Sequence, residues 1–254
     1  IHDKERLVQS DQRLEELIAN ARRDYEANPK DNRTINALVE LLCRRENEAD
    51  EMKAIDILVK AYKETNEYRH RVRAEDIRIK QLNRRVRQAK EKGDAEAYRE
   101  ARVKLLSFEL DVYKNRVKQY PTDLRLRYEL GRRLFQAKRY DDAIPMLQEA
   151  RSDPKTRTSC SLYIGRCFYE KGYYAQAIDT LREAIAGHDI PEDELGKDLQ
   201  YWLARAQEGA KLIDDALKTY GQLIQWDYNY RDVRKRIDDL HRPSAQSADE
   251  ADNG

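Results

Sequence analysis

A 34-residue self-similarity constrains this chain more than any other feature. Leu124 to Pro154 can be laid on Thr158 to His188. The pairs Gly131/Gly165, Arg132/Arg166, Tyr140/Tyr174, Ala143/Ala177, Ile144/Ile178, Leu147/Leu181, Glu149/Glu183 and Ala150/Ala184 are then identical. A fixed period of this length marks a supersecondary unit that buries its apolar face only by stacking on neighbouring copies. Composition agrees with long helices, since only 9 Gly and 6 Pro punctuate 254 residues. That scarcity argues against a turn-rich β-sandwich or a Gly/Pro-rich disordered chain. With 38% charged residues the chain is also too polar to be embedded in a membrane.

Both the period and its residues resemble the tetratricopeptide repeat, a helix-turn-helix unit with the pattern W-x2-L-G-x2-Y, then A-x3-F, then P. In the first copy Leu130-Gly131 stands at the L-G pair, Leu134 at the aromatic, Ala143 and Leu147 at A-x3-F, and Pro154 at the end. Ile164-Gly165, Phe168, Ala177 and Leu181 repeat this, while Arg127 and Ser161 replace the tryptophan. A weaker third copy has Leu203-Ala204 and Ala216-x3-Tyr220, its alanine 39 residues after Ala177, with five extra residues in the loop from Gly187 to Glu194. Small residues at these places let two antiparallel helices approach closely while larger ones fill the gap. Tyr120 to Leu126 and Asp227 to Asp232 also look similar to bacterial members of the family.

The resemblance implies an all-α, right-handed solenoid of antiparallel helix pairs. Residues 119–240 are expected to hold three units and a C-terminal capping helix marked by Val233, Ile237 and Leu240. Residues 241–254 lack apolar periodicity and are expected to form a disordered acidic tail. In residues 1–66, Ile35, Leu38, Leu41 and Leu42, followed by Ala54, Ile55, Leu58 and Ala61, look like a degenerate unit of the same kind.

Residues 67–118 depart from the pattern. Only Gly93-Asp94 interrupts them, and Val72, Ile79, Leu82, Val86 and Ala89 fall on a heptad-like seam, so a long helical hairpin is predicted. It is also where the charge sits. The stretch from Arg69 to Lys118 carries sixteen basic and eight acidic residues, a surplus of +8 in a chain whose total is +1. Arg71, Arg78, Arg85 and Lys92 recur at seven, flanked by Arg73, Lys80 and Arg87, forming a basic ridge on one helix. One reading is a surface for nucleic acid or another polyanion. Others are docking onto the acidic remainder of the molecule, or onto another copy in a homo-oligomeric assembly. No aromatic residue interleaves the basic ones between Arg69 and Lys92, which disfavours nucleic acid.

Signatures of catalysis are missing. The histidines His2, His70, His188 and His241 are scattered, and no Cys pair has the spacing of a zinc site. No phosphate-binding glycine loop or nucleophile elbow occurs. Neither an enzyme nor a metal or other cofactor is expected. Cys160 and Cys167 stand seven residues apart on one helix face, about 10 Å by helical rise, which suits neither a disulfide nor a shared metal ion. Three free thiols point to a reducing, cytoplasmic compartment, although a chain beginning at Ile1 leaves an upstream signal or anchor open.

A binding groove is the better candidate. In the repeat family the first helices of successive units line a concave surface on which peptides lie. Carried over by the 34- and 39-residue steps, the resemblance puts Arg132, Arg166 and Arg205 at one equivalent place. Tyr128 and Tyr201, Tyr163 and Trp202, and Phe135 and Tyr169 stand nearby. An arginine ladder among aromatics would grip carboxylates and stack on planar groups, which suits an acidic or aromatic protein segment. The competing reading gives these arginines to nearby glutamates such as Glu129 or Glu170, with the rings as packing.

Overall fold

A computed structural model describes residues 2–241, with side chains from residue 11 onward. These residues form twelve α-helices and no strand. The first five are α1 (His2–Ala27), α2 (Asn32–Cys43), α3 (Glu48–Thr65), α4 (Tyr68–Glu91) and α5 (Ala95–Gln119). There follow α6 (Leu124–Gln136), α7 (Tyr140–Ala150), α8 (Arg157–Glu170), α9 (Tyr174–Ala186), α10 (Glu194–Gly209), α11 (Ile213–Trp226) and α12 (Val233–His241). The chain divides into two compact units, Ile1–Glu109 and Leu110–Gly254, with the division inside α5.

In the first unit consecutive helices from α1 to α4 pack on one another. The apolar stripes are spaced three and four apart, so each faces its neighbour. Ile35, Leu38, Val39 and Leu42 of α2 are buried against Ala54, Leu58 and Ala61 of α3, with Ala74 of α4 completing the core. Asp31 and Asn47 cap α2 and α3, their side chains accepting from the amides of Arg33 and Asp50, each at 2.8 Å. Such caps satisfy amides that lack a partner in the first turn. α4 packs along α3, and among the described residues no packing of that extent joins α4 to α5. The reason is electrostatic as well as apolar, since the acidic residues that match the α4 arginines sit on α3.

The second unit repeats one construction three times, in α6/α7, α8/α9 and α10/α11. Each first helix ends at a residue in the left-handed region: Lys138 (φ 58°), Gly172 (φ 77°) and Lys211 (φ 63°). These positions are related by the same steps of 34 and 39. The following amide closes the turn five residues back each time: Arg139 to Leu134 O at 2.9 Å, Tyr173 to Phe168 O at 2.8 Å, and Leu212 to Gln207 O at 2.9 Å. This is the C-terminal cap that orients a helix for an antiparallel return. Gly131 and Gly165 explain the L-G motif, because a Cβ on either would lie 2.6 Å from Cγ of Leu147 or Leu181 on the returning helix. Ala143, Leu147, Ala177, Leu181, Ala204, Ala216 and Tyr220 are fully enclosed.

The insertion before the third pair is divided between loop and helix. α10 has 16 residues against 13 and 14 in α6 and α8. Asp193 caps it, accepting from the Gly196 amide at 2.7 Å while standing 2.9 Å from His188 Nε2. α12 then packs on α11 through Val233, with Ile237 and Leu240 half-buried in the same cluster. Of the expected tail, residues 242–254 lie outside the described residues. No described helix is long and apolar enough to cross a membrane.

Candidate functional site

Repeat geometry brings the first helices α6, α8 and α10 side by side in the second unit. Their equivalent arginines therefore meet rings from two units at once. The Cζ of Arg132 lies 5.5 Å from the Tyr128 ring and 5.9 Å from that of Tyr163. Arg166 stands 4.5 Å from Phe135, 5.4 Å from Tyr163 and 4.6 Å from Trp202. Arg205 lies 5.1 Å from Tyr169, 5.9 Å from Tyr201 and 5.7 Å from Trp202. Tyr163 is thus shared by Arg132 and Arg166, and Trp202 by Arg166 and Arg205. Rings and guanidinium groups alternate without interruption across three helices.

All nine residues picked out for the groove fall in this array. Edge-to-face ring pairs hold it together, with centroids 5.4 Å apart for Phe135 and Tyr163 and 5.4 Å for Tyr169 and Trp202. Each such pair adds about 0.5–1.5 kcal/mol beyond the area it buries. Sequence comparison missed Arg231, which extends the array, and Arg236, which pairs beside it. Arg231 lies 4.7 Å from the Tyr201 ring and 5.1 Å from that of Tyr230. Arg236 binds both oxygens of Glu208, at 3.1 and 3.0 Å. They escaped because α12 and the turn before it do not carry the 34-residue pattern.

The three equivalent arginines differ in how their charge is balanced. Arg132 has Glu129 one turn earlier, at 3.4 Å. Burial opposes its charge, but the Tyr163 phenol and Glu129 outweigh it and the guanidinium is held above its ordinary pKa. Arg205 donates to the hydroxyls of Tyr201 at 3.2 Å and Tyr169 at 2.5 Å, and Glu208 stands 3.9 Å away. Its pKa is also raised, with burial again the opposing influence. Arg166 alone goes the other way, since burial between Phe135 and Trp202 depresses it and no acceptor compensates. Asp198 and Glu170 act on it only through space. Asp198 is already engaged, accepting from the Tyr230 hydroxyl at 2.5 Å and pairing with Arg231.

The basic ridge is a different kind of surface. Lys80 pairs with Glu46 at 2.6 Å, and Arg85 grips both oxygens of Glu48 at 2.6 and 2.9 Å. Arg71 pairs with Glu75 on its own helix at 2.8 Å, Arg78 donates to Gln81 at 2.8 Å, and Arg73 bonds the Asn36 side chain. Between these lies Arg84, clamped to the buried Glu51 at 3.1 and 2.5 Å. Arg87 and Lys92 are exposed. Three of the seven ridge residues, Arg71, Lys80 and Arg85, therefore have carboxylate counter-ions in place, and Arg73 and Arg78 bond neutral amides.

Among the described residues, no group of three or more His, Cys, Asp or Glu side chains is arranged to hold a metal ion. Cys160 and Cys167 are fully buried free thiols, which burial pushes up to about 11 and about 12. Thiols so protonated are poor nucleophiles.

No protein-family model matches the chain, and no curated protein matches it. Among solved structures, the chain is similar to YrrB, described as a TPR protein with an unusual peptide-binding site. The TM-score is 0.59 at 15% identity, over 86% of this chain and 97% of YrrB. It also matches TTC0263, a thermophilic TPR protein of Thermus thermophilus, with TM-score 0.47, 17% identity, and 80% and 96% of the two chains covered. The TPR2AB domain of yeast Sti1, solved as a pHSP90 complex, aligns at TM-score 0.40 and 16% identity over 91% and 92%. The all-helical architecture, the repeated cap and the overlay on YrrB together make this a fold of the tetratricopeptide type, an α-solenoid.

Proposed function

We propose that the protein is a non-catalytic adaptor that holds a segment of a partner protein against α6, α8 and α10. The continuous array of arginine and aromatic side chains across these helices carries the reading. Such an array offers flat apolar rings, donors in fixed forks and positive charge within one surface, which is the chemistry that grips an extended segment with acidic or aromatic side chains. YrrB, described as having a peptide-binding site on the same fold, supports the choice of a protein segment as ligand.

The test is a native pull-down read by mass spectrometry, comparing the intact chain with an Arg166→Ala/Arg205→Ala variant. Partner proteins retained by the intact chain are expected to be lost. The variant's melting temperature should stay within about 4 °C of the parent, the shift expected for roughly 1 kcal/mol in a chain of this size. Identical partners captured by both proteins would overturn the reading.

A further inference from the structure

The middle arginine of the array differs from its equivalents in a way that points to a ligand. Its predecessor is served by Glu129, but the same place one repeat later holds Tyr163, so the carboxylate is replaced by a ring. The successor is satisfied by two tyrosine hydroxyls. Arg166 has rings on its faces and no ion pair or hydrogen bond from its side chain among the described residues. Its Nε is closed off from the surface without a partner, as are those of Arg132 and Arg205 and the indole Nε1 of neighbouring Trp202. The two terminal nitrogens are not closed off in this way. A desolvated cation without a counter-ion is costly to maintain; of the two carboxylates that act on Arg166 through space, Asp198 is committed to Arg231 and Tyr230, and Glu170 makes no ion pair or hydrogen bond with it.

The geometry points to Arg166 as the receiving group for a carboxylate of the bound partner, with Phe135, Tyr163 and Trp202 as the walls of that subsite. This rests on the adaptor reading above and narrows its partner to a segment that presents an acid at one defined place. The rings hold the guanidinium plane still, so little side-chain entropy is lost when two parallel N–H donors meet two carboxylate oxygens. Arg132 and Arg205, already supplied with acceptors, contribute the flanking surface.

Three heptapeptides test it against the full chain carrying 15N-labelled arginine. One alternates alanine and glutamate with both ends blocked, one replaces glutamate by glutamine, and one is the glutamine peptide with a free C-terminal carboxylate. The glutamate peptide is expected to bind at least about tenfold more tightly than the blocked glutamine peptide, the low end for a hydrogen bond to a charged group. It should also move the Nε–Hε resonance of Arg166. Movement by the free-terminus peptide instead assigns the subsite to a chain end rather than to an acidic side chain. Arg166→Gln should abolish the preference. So should Tyr163→Glu, measured against Tyr163→Gln, because it returns to Arg166 the internal counter-ion that Arg132 has. Equal affinity for the blocked glutamate and glutamine peptides, with the Arg166 resonance unmoved, overturns the carboxylate subsite. If signals of α6, α8 and α10 shift in that case, the adaptor reading survives. Failure of all three peptides to bind at millimolar concentration also overturns the subsite, and the adaptor reading then stands or falls on partner capture alone.

Discussion

Two sets of arginines are balanced in opposite ways. On α4 Arg84 and Arg85 face carboxylates of α3, and Arg84 with Glu51 is sealed in, with side-chain exposures of 14% and 1%. In the second unit Arg132, Arg166 and Arg205 face rings, and the middle one has no ion pair or hydrogen bond from its side chain among the described residues. A charge with its counter-ion in place holds two helices together and has little left to offer a partner. A charge held between aromatic walls keeps its electrostatic demand. The contrast teaches that positive charge density alone does not reveal which cations the fold leaves unsatisfied.

That contrast can be broken most forcefully at Glu51. Removing one partner of a buried pair strands the other, so Glu51→Ala should destabilise the first unit by about 3–5 kcal/mol. Replacing both partners, as Glu51→Met with Arg84→Leu, should recover most of the loss. Hydrogen exchange of the α3 and α4 amides reads both outcomes. A loss below about 1 kcal/mol for the single variant would mean that α4 is held by its apolar seam alone.

Alkaline conditions probe the other side. The thiols of Cys160 and Cys167 belong to the second unit and titrate at about 11 and about 12 when folded, against 9.0 as the ordinary value. Below pH 9 both are protonated in either state, so their contribution is fully present. Above it the unfolded chain loses its protons first, and stability falls as pH rises toward the folded values. At about 1.4 kcal/mol per pH unit the effect reaches a few kcal/mol. Melting followed by circular dichroism from pH 8 to 11 should show the decline, and a Cys160→Ala/Cys167→Ala variant should show a flatter profile. Acid acts on both units, since Asp193 and Asp232 of the second unit are held below their ordinary value as well as carboxyls of the first. The carboxyls of Glu46 and Glu48 are held below their ordinary value by hydrogen bonds from Lys80 and Arg85. Their contribution is present above the unfolded value and is lost as pH falls through the folded one.

The smallest effect belongs to the exposed part of the ridge. Arg85 and Glu48 are each 46% exposed, so Arg85→Ala should cost less than about 1 kcal/mol despite the two short hydrogen bonds. A cost approaching that of Glu51→Ala in the same denaturation assay would erase the distinction between surface and buried pairs on α4.

Much of this was legible in the chain itself. The step of 34 located the paired helices of the second unit and placed three arginines at one level. The L-G motif foretold where a side chain would collide with the returning helix, and Gly131 and Gly165 meet Leu147 and Leu181 there. The heptad-like spacing of α4 was legible too, but not the identity of its partner. A seam records that a helix packs, not against what, and carboxylates at Glu48 and Glu51 match α4 only when α3 is brought alongside.

What the sequence alone determined is therefore the local and the periodic: helix lengths, caps, the repeat step and the level of the arginine ladder. These follow from residues within a turn or a unit of each other. Only the tertiary structure decided how each charge is balanced. Asp198 lies 32 residues after Arg166, close to one repeat step, yet its Oδ1 accepts from Tyr230 and pairs with Arg231. The balance of a charge depends on every polar group that reaches it from other helices. No spacing rule along the chain expresses that competition, and its outcome is what sets Arg166 apart from its two equivalents.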